Sequence, residues 1–206
     1  MSEESNWDSR YAESDRIWSG QPNVVLAREA AGLDPGTALD LGCGEGADAV
    51  WLARRGWRVV AVDISGVALA RAGAHAAEVG VAERIDFQRR DLGESFPPGA
   101  FDLVSAQFLH SWGDLPREKI LRAAAAAVAP GGMLLIEGHL DHGPFPPHGP
   151  ADVTFPTPDE VVGDLGLHAP EWELLRSEAH ERAQTGPDGR TAVRTDSTVQ
   201  ARRAAG

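Results

Sequence analysis

Between residues 37 and 137, short apolar runs alternate with longer amphipathic stretches. Residues 37–41 read as a short buried strand, and residues 47–55 as a helix stopped by Gly56. Residues 58–63, with Val59-Val60-Ala61-Val62 at their centre, are the next strand. Ser65 caps a helix reaching residue 79, and Gly80 stops it. Strands are predicted over 84–89, 101–106 and 133–137. A helix opens at Pro116 and runs to 128, with Pro130-Gly131-Gly132 as its stop and turn. This rhythm predicts an α/β domain, a mostly parallel sheet in a three-layer α/β/α stack.

The flanks differ. Through Ser19 the chain is polar, with Trp7, Tyr11 and Trp18 widely spaced; Asn23 is placed to cap a helix over 24–31. Residues 138–158 hold six prolines and three histidines with little periodicity, the mark of a long loop. Thr157-Pro158-Asp159-Glu160 has the pattern of a capping box opening a short helix. Residues 172–179 and 192–201 read as strands joined through the turn Gly186-Pro187-Asp188-Gly189, so the sheet is expected to end in a hairpin.

The 206 residues suffice for one domain with a sizeable core. With 19 basic and 31 acidic residues, the net charge of −12 argues against nucleic acid or acidic membranes as partners. Cys43 is the single cysteine, which excludes an internal disulfide and fits a reducing, cytoplasmic setting. The first residues carry no secretory pattern, and no stretch approaches the roughly 18 apolar residues of a membrane helix. Oligomeric state is not legible.

The chemistry concentrates in Leu39-Asp40-Leu41-Gly42-Cys43-Gly44-Glu45-Gly46, a buried strand running into a glycine-rich turn before a helix. Glycines allow the tight turn and a ligand's close approach, with helix N–H groups facing the ligand. Gly42, Gly44 and Ala47 also satisfy the dinucleotide pattern G-x-G-x-x-A, and Asp63 at the end of the next strand suits a ribose in either case. Asp40 and Glu45 flank the turn; two carboxylates repel a pyrophosphate but attract a cofactor bearing an ammonium and a sulfonium. Asp91-Leu92 follows the third strand, where a carboxylate can accept from an adenine amino group.

Leu39 to Gly46, Val62-Asp63-Ile64-Ser65, Arg90-Asp91-Leu92, Phe101-Asp102-Leu103-Val104 and Pro130-Gly131-Gly132 stand in the order and spacing of class I S-adenosylmethionine-dependent methyltransferases, which this stretch resembles. The resemblance implies a Rossmann-like, seven-stranded sheet with an antiparallel last strand. It also implies S-adenosyl-L-methionine as cofactor and S-adenosyl-L-homocysteine as product. Gly42 to Gly46, among them Cys43 and Gly44, would lie under the methionine part, with Asp40 also a cofactor-binding residue, Asp63 at the ribose, Ile64 against adenine, and Asp91 with the Leu92 backbone at the adenine edge. Gln107 joins this set, and Tyr11 and Trp18 would form a lid. Trp7-Asp8, Arg10-Tyr11, Trp18 and Asn23 are similar to the start of bacterial tellurite and thiopurine methyltransferases. His180-Glu181-Arg182 is similar to their tail, although in that group His and Arg are adjacent.

The whole chain then divides into a lid or helical segment (1–34), a cofactor-binding core (35–138), a Pro/His-rich loop (139–158) and a C-terminal helix and hairpin (159–206). The expected acceptor is a small molecule with an S, Se/Te, O or N nucleophile attacking in line. His110, Trp112, His139 and His180 are the substrate-facing candidates, with His110 and His180 as the bases a hydroxyl or amine acceptor would want, and no catalytic residue is assigned. His139, His142 and His148 lack fixed metal-ligand spacing, so no metal site is expected. Ser105-Ala106-Gln107-Phe108 departs from the Asn/Asp-Pro-Pro-aromatic motif of amine-directed DNA methyltransferases. An NAD(P)-dependent oxidoreductase and a non-catalytic S-adenosylmethionine-binding protein stay open as alternatives.

Overall fold

The computed structural model describes residues 2–111, 113, 115–142, 154–185 and 189–206. Helix α1 (Glu3–Ala12) and α2 (Val24–Ala30) precede β1 (Thr37–Leu41), α3 (Ala47–Arg54), β2 (Arg58–Asp63) and α4 (Gly66–Glu78). Then come β3 (Ile85–Arg89), β4 (Phe101–Gln107), α5 (Arg117–Ala126), β5 (Val128–His139), α6 (Pro158–Leu165), β6 (Trp172–Thr185) and β7 (Thr191–Arg203). The seven strands lie in the order β3-β2-β1-β4-β5-β7-β6. All run parallel except the last in sequence, β7, which is antiparallel to both β5 and β6. The expected sheet is therefore the observed one.

Burial on both faces explains the unbroken apolar runs of the central strands. Leu39, Leu41, Val104, Ala106, Leu134 and Ile136 face α5 and α6. Ala38, Val59, Ala61, Leu103 and Leu135 pack under α2 and α3, around the fully buried Trp57. Strand order reverses between β1 and β4, and a ligand crevice forms at such a switch point, outside the carboxyl ends of the strands.

Several sequence expectations need correcting. The polar N-terminus folds as α1, capped by the Ser2 side chain. Asn23 stands at the N-cap of α2, yet its side chain makes no capping bond; the Nδ2 amide and the backbone N–H both donate to Asp48 at 2.7 Å. Pro130-Gly131-Gly132 lies within β5 as an irregularity in its pairing with β4. Helix α5 ends two residues before residue 128, which β5 takes instead. Residue 84 belongs to a short 3-10 turn. Strand β5 continues through His139, shortening the expected loop, and β6 and β7 reach well past the predicted hairpin ends. The capping box is present as read: the Thr157 hydroxyl accepts from the Glu160 N–H, and Glu160 accepts from the Thr157 N–H.

Candidate active site

The glycine loop closes on itself. The N–H groups of Gly42 and Cys43 both donate to the Val62 carbonyl, at 2.8 and 3.0 Å, and that of Gly44 donates to Asp63 Oδ2 at 2.9 Å. Three amides of the turn ahead of α3 are thus spent within the loop, which removes them from the set a pyrophosphate would need. Gly44 has φ +53°, and a Cβ there would stand 2.9 Å from the Tyr11 hydroxyl. A Cβ on Gly42, at φ +70°, would press into Leu109 at 2.8 Å. Both positions require glycine because the chain turns left-handed and other groups approach closely.

Carboxylates surround the loop. Asp40, Asp48 and Asp63 are all buried, and among the described residues no ion pair reaches them. Burial first, then the neighbouring Asp48 and Asp63, pushes the Asp40 carboxyl well above the usual range. Its Oδ2 is buried without a hydrogen-bond partner. Burial also raises Asp63, against bonds from the Ser65, Gly44 and Ile64 backbone. It raises Asp48 as well, against its bonds from Asn23. Uncompensated buried acids are costly, and a cationic ligand relieves that cost. The Cys43 thiol is pushed well up by burial and then by Asp63, which makes it inert packing.

Helix α1 roofs the cradle. Asp8 Oδ1 accepts from the Ser65 hydroxyl at 2.5 Å, and Glu4 pairs with Arg89 at 2.5 Å, fixing one side to the β2 and β3 exits. Trp7 Nε1 donates to Ser111 Oγ at 3.2 Å, fixing the other side to the β4 exit. Trp18 Nε1 donates to the buried Tyr11 hydroxyl at 3.0 Å. Burial, then Asp63, raises the Tyr11 phenol, so it stays neutral. Glu45, expected beside the cofactor, instead accepts from the Ile17 and Trp18 N–H groups and pairs with Arg71 at 2.9 Å. Its role is to strap residues 17–18 down, and Arg71 adds a bond to the Ser14 carbonyl.

The β4–β5–β7–β6 edge is built differently. Phe108 turns left-handed at φ 53°, an uncommon state for a bulky residue, and its N–H donates to the Glu137 carbonyl. That turn sends Leu109 against Gly42 and His110 toward β5. Cross-strand register stacks His139, Asp196 and His180 in one row and Glu137, Thr198 and Glu178 in the next. Glu137 accepts from His180 Nε2 at 2.7 Å and from Thr198 at 2.6 Å, while burial raises its carboxyl. His180 and Arg182, two apart on a strand, face the same side, and Arg182 bonds Asp196.

Of the predicted site residues, Asp40, Gly42, Cys43, Gly44, Asp63, Tyr11 and Trp18 converge on the cradle. Ile64 follows Asp63, half-buried, and Leu92 packs at the margin of the main core. Asp91 Oδ1 accepts from Gly93 N–H in a tight turn. Gln107 is buried; its Nε2 donates to Ser105 and its Oε1 has no partner. His110, His139 and His180 gather at the far edge. Trp112 and His148 lie outside the described residues. Among the described residues no cluster of metal-ligating side chains is placed to hold an ion. Asp48, Arg194 and Asp196 carry no signal in the sequence reading. Asp8, Ser65 and Arg182 stand in quoted motifs, Ser65 as a helix cap only.

A methyltransferase domain family matches residues 38–132. A 2-heptyl-1-hydroxyquinolin-4(1H)-one methyltransferase of Mycobacteroides abscessus is 33% identical over 151 residues, 70% of this chain and 66% of that protein. A ubiquinone biosynthesis O-methyltransferase of Pseudomonas paraeruginosa is 34% identical over 134 residues, covering 63% of this chain and 56% of that protein. The crystal structure of TehB from Haemophilus influenzae shares the fold at 19% identity, with a TM-score of 0.70 over 98% of this chain and 67% of that one. The chain spans less than two thirds of the length of both curated relatives. Residues 38–132 thus match a methyltransferase domain, and the chain is similar to methyltransferases in sequence and in fold.

Proposed function

We propose that the chain transfers a methyl group from S-adenosyl-L-methionine to a heteroatom nucleophile of a small molecule, by in-line displacement. The observation that carries this reading is the buried, partnerless Asp40 Oδ2 in a cradle of three carboxylates whose loop amides are already bonded. Such a cradle suits a ligand with an ammonium and a sulfonium and opposes the pyrophosphate of NAD(P).

In this reading Asp40 and the loop Gly42–Cys43–Gly44 hold the methionine end. Asp63 takes the ribose hydroxyls with the lone pairs left over from its bonds to Gly44 and Ser65. Ile64 packs on adenine, and Asp91 with the Leu92 backbone takes its amino edge. Gln107 offers its partnerless carbonyl oxygen at the β4 exit. Tyr11 and Trp18 exclude water, and segment 1–34 serves as the lid over a core of 35–138. The bound cofactor supplies a methyl group already activated by positive sulfur. The protein's task is then to align the nucleophile, and orientation alone supplies about 7–11 kcal/mol of such barriers.

A small acceptor, rather than nucleic acid, is supported by the net charge of −12 and by the small hydroxyquinolinone in the name of the Mycobacteroides abscessus relative, against a shorter match of 71 residues to a ribosomal RNA methyltransferase. The lone Cys43, together with the absence among the described residues of a helix long and apolar enough to cross a membrane, favours a cytoplasmic setting.

The test is incubation with methyl-labelled S-adenosyl-L-methionine and separate panels of small phenols, thiols, amines and chalcogen anions, with RNA and protein alongside. Label in one small-molecule panel is the expected result. Label in RNA or protein alone overturns the acceptor, and cofactor binding without turnover on any panel favours a non-catalytic binding role.

A further inference from the structure

The rings of His110 and His139 stack at 5.1 Å at the β4 and β5 exits, His180 stands across β7 from them, and their hydrogen bonds and places in the sheet give them different chemistry. His110 Nε2 accepts the backbone N–H of His139 at 3.2 Å, so His110 carries its hydrogen on Nδ1 and its basic nitrogen is spent. Burial, then Arg117 and His139, pushes its pKa down to about 3. His180 also commits one nitrogen, Nε2, to Glu137, but it stands on β6, two strands from β5 in the sheet order. His139 commits only Nδ1, which meets Asp196 Oδ1 at 2.8 Å.

Asp196 is fully buried, and its second oxygen is held by Arg182 Nε. Burial alone would raise its carboxyl, but the bonds from His139 and Arg182 outweigh that and hold it below the usual range. An ionised carboxylate only accepts, so the hydrogen sits on His139 Nδ1 and the lone pair on Nε2. Burial lowers His139 despite Asp196, keeping the ring neutral. The charged groups facing the ring are Asp196 and Arg194 from β7 and Arg182 from β6, with His110 stacked on it at 5.1 Å. Phe108 lies at 4.7 Å and Phe155 at 6.0 Å, edge-on. The β4 turn that carries Phe108 and His110 also presses Leu109 against Gly42, so this aromatic corner adjoins the cradle.

We propose that His139, oriented by Asp196, is the general base of this enzyme, and that the acceptor presents a weakly acidic hydroxyl on a flat aromatic ring. The inference rests on the methyltransferase reading and corrects the expectation that His110 or His180 would serve. The acceptor hydroxyl gives its proton to His139 Nε2 while an oxygen electron pair forms the new bond to the methyl carbon. The electron pair of the broken carbon–sulfur bond stays on sulfur, and the imidazolium later releases the proton to water. The aromatic rings packed about His139 make an apolar, aromatic neighbourhood that suits an aryl ring, and a pre-ionised thiolate or chalcogen anion would have no use for the pair.

Three readouts test this. In the wild type, nitrogen-15 resonances of the histidine rings report the tautomer of His139 directly; a hydrogen on Nε2 overturns the assignment. With S-adenosylhomocysteine bound, 4-nitrophenol is expected to ionise on binding to the wild type and to bind without ionising to His139→Gln. In turnover, a series of phenols of graded acidity is expected to react at similar rates with the wild type. His139→Gln should lose on the order of 10²- to 10⁴-fold with the least acidic phenols and little with those ionised at the assay pH. An equal loss across the series makes His139 a packing residue. A wild type that binds S-adenosylhomocysteine but methylates no phenol overturns the hydroxyl acceptor and leaves the methyltransferase reading standing. Failure to bind S-adenosylhomocysteine removes that reading itself.

Discussion

On the β1–β2 side of the crevice, Asp40, Asp48 and Asp63 are buried with no basic side chain paired to them among the described residues; on the β5–β7–β6 side, Asp196 and Glu137 are as deeply buried, yet each is matched, by His139 with Arg182 and by His180. The first arrangement is complete only with a cation. The second is already neutralised, and what it holds in reserve is a basic nitrogen. One sheet edge thus separates cofactor capture from acceptor chemistry by how its buried acids are compensated.

The sharpest way to break the comparison is Asp196→Ala. It strands Arg182 and Arg194 beside a buried His139, and removing one partner from such a network costs about 3–5 kcal/mol of stability. Denaturant unfolding should show that loss while S-adenosylhomocysteine affinity of the folded protein is retained. A loss under about 1 kcal/mol would mean that the edge network contributes little. Asp63→Ala acts on the other side. Losing a charged hydrogen-bond partner, about 1.5–3 kcal/mol, should weaken S-adenosylhomocysteine binding roughly 10- to 100-fold by calorimetry. Unchanged affinity would remove Asp63 from the cofactor.

Acid should move the two sides in opposite directions. The cradle carboxyls titrate higher in the fold than in the unfolded chain, so they bind more protons when folded. Their contribution to stability therefore falls as pH rises from the ordinary aspartate range, about 3.9, toward their raised native values. Asp196 titrates lower when folded, so its contribution is present above the ordinary range and lost as pH falls through its native value. Protonating the cradle also removes the attraction for a cation. Affinity for S-adenosylhomocysteine, measured by calorimetry across pH, should weaken on acidification through the raised range, and a flat profile would contradict the charge argument. The smallest effect is expected from Glu45→Gln, which loosens the strap at Ile17 and Trp18 at a cost of about 1 kcal/mol. It should speed S-adenosylhomocysteine release a few-fold in stopped flow, and an unaltered rate would make the strap irrelevant to exchange.

Legibility in the sequence followed the same division. The cradle is local: Leu39 to Gly46 and Val62 to Ser65 are contiguous, and strand period, glycines and cap each leave a mark in a few residues. Strands β1 and β2, the Ser65 cap and the Thr157 capping box were readable for that reason. Glu45 was misread because a carboxylate beside a glycine turn looks alike whether it faces a ligand or a strap 28 residues away. Helix α1 was hidden by its polarity, since only Tyr11 of its residues is buried. The edge network was illegible because it depends on register. His139 meets Asp196 across 57 residues, and a one-residue slip between β5 and β7 would point them to opposite faces. Three histidines were visible from sequence, but which ring nitrogen each would spend was not.

The most direct measurement is a calorimetric titration of the full chain at neutral pH with S-adenosyl-L-methionine, S-adenosyl-L-homocysteine and NAD(P) in parallel. Binding of the first two, abolished by Asp40→Ala or weakened by Asp63→Ala, and none of the third is the predicted result. Binding of NAD(P) alone would contradict the acidic cradle as the seat of a cationic cofactor, and the proposed methyl transfer would fall with it.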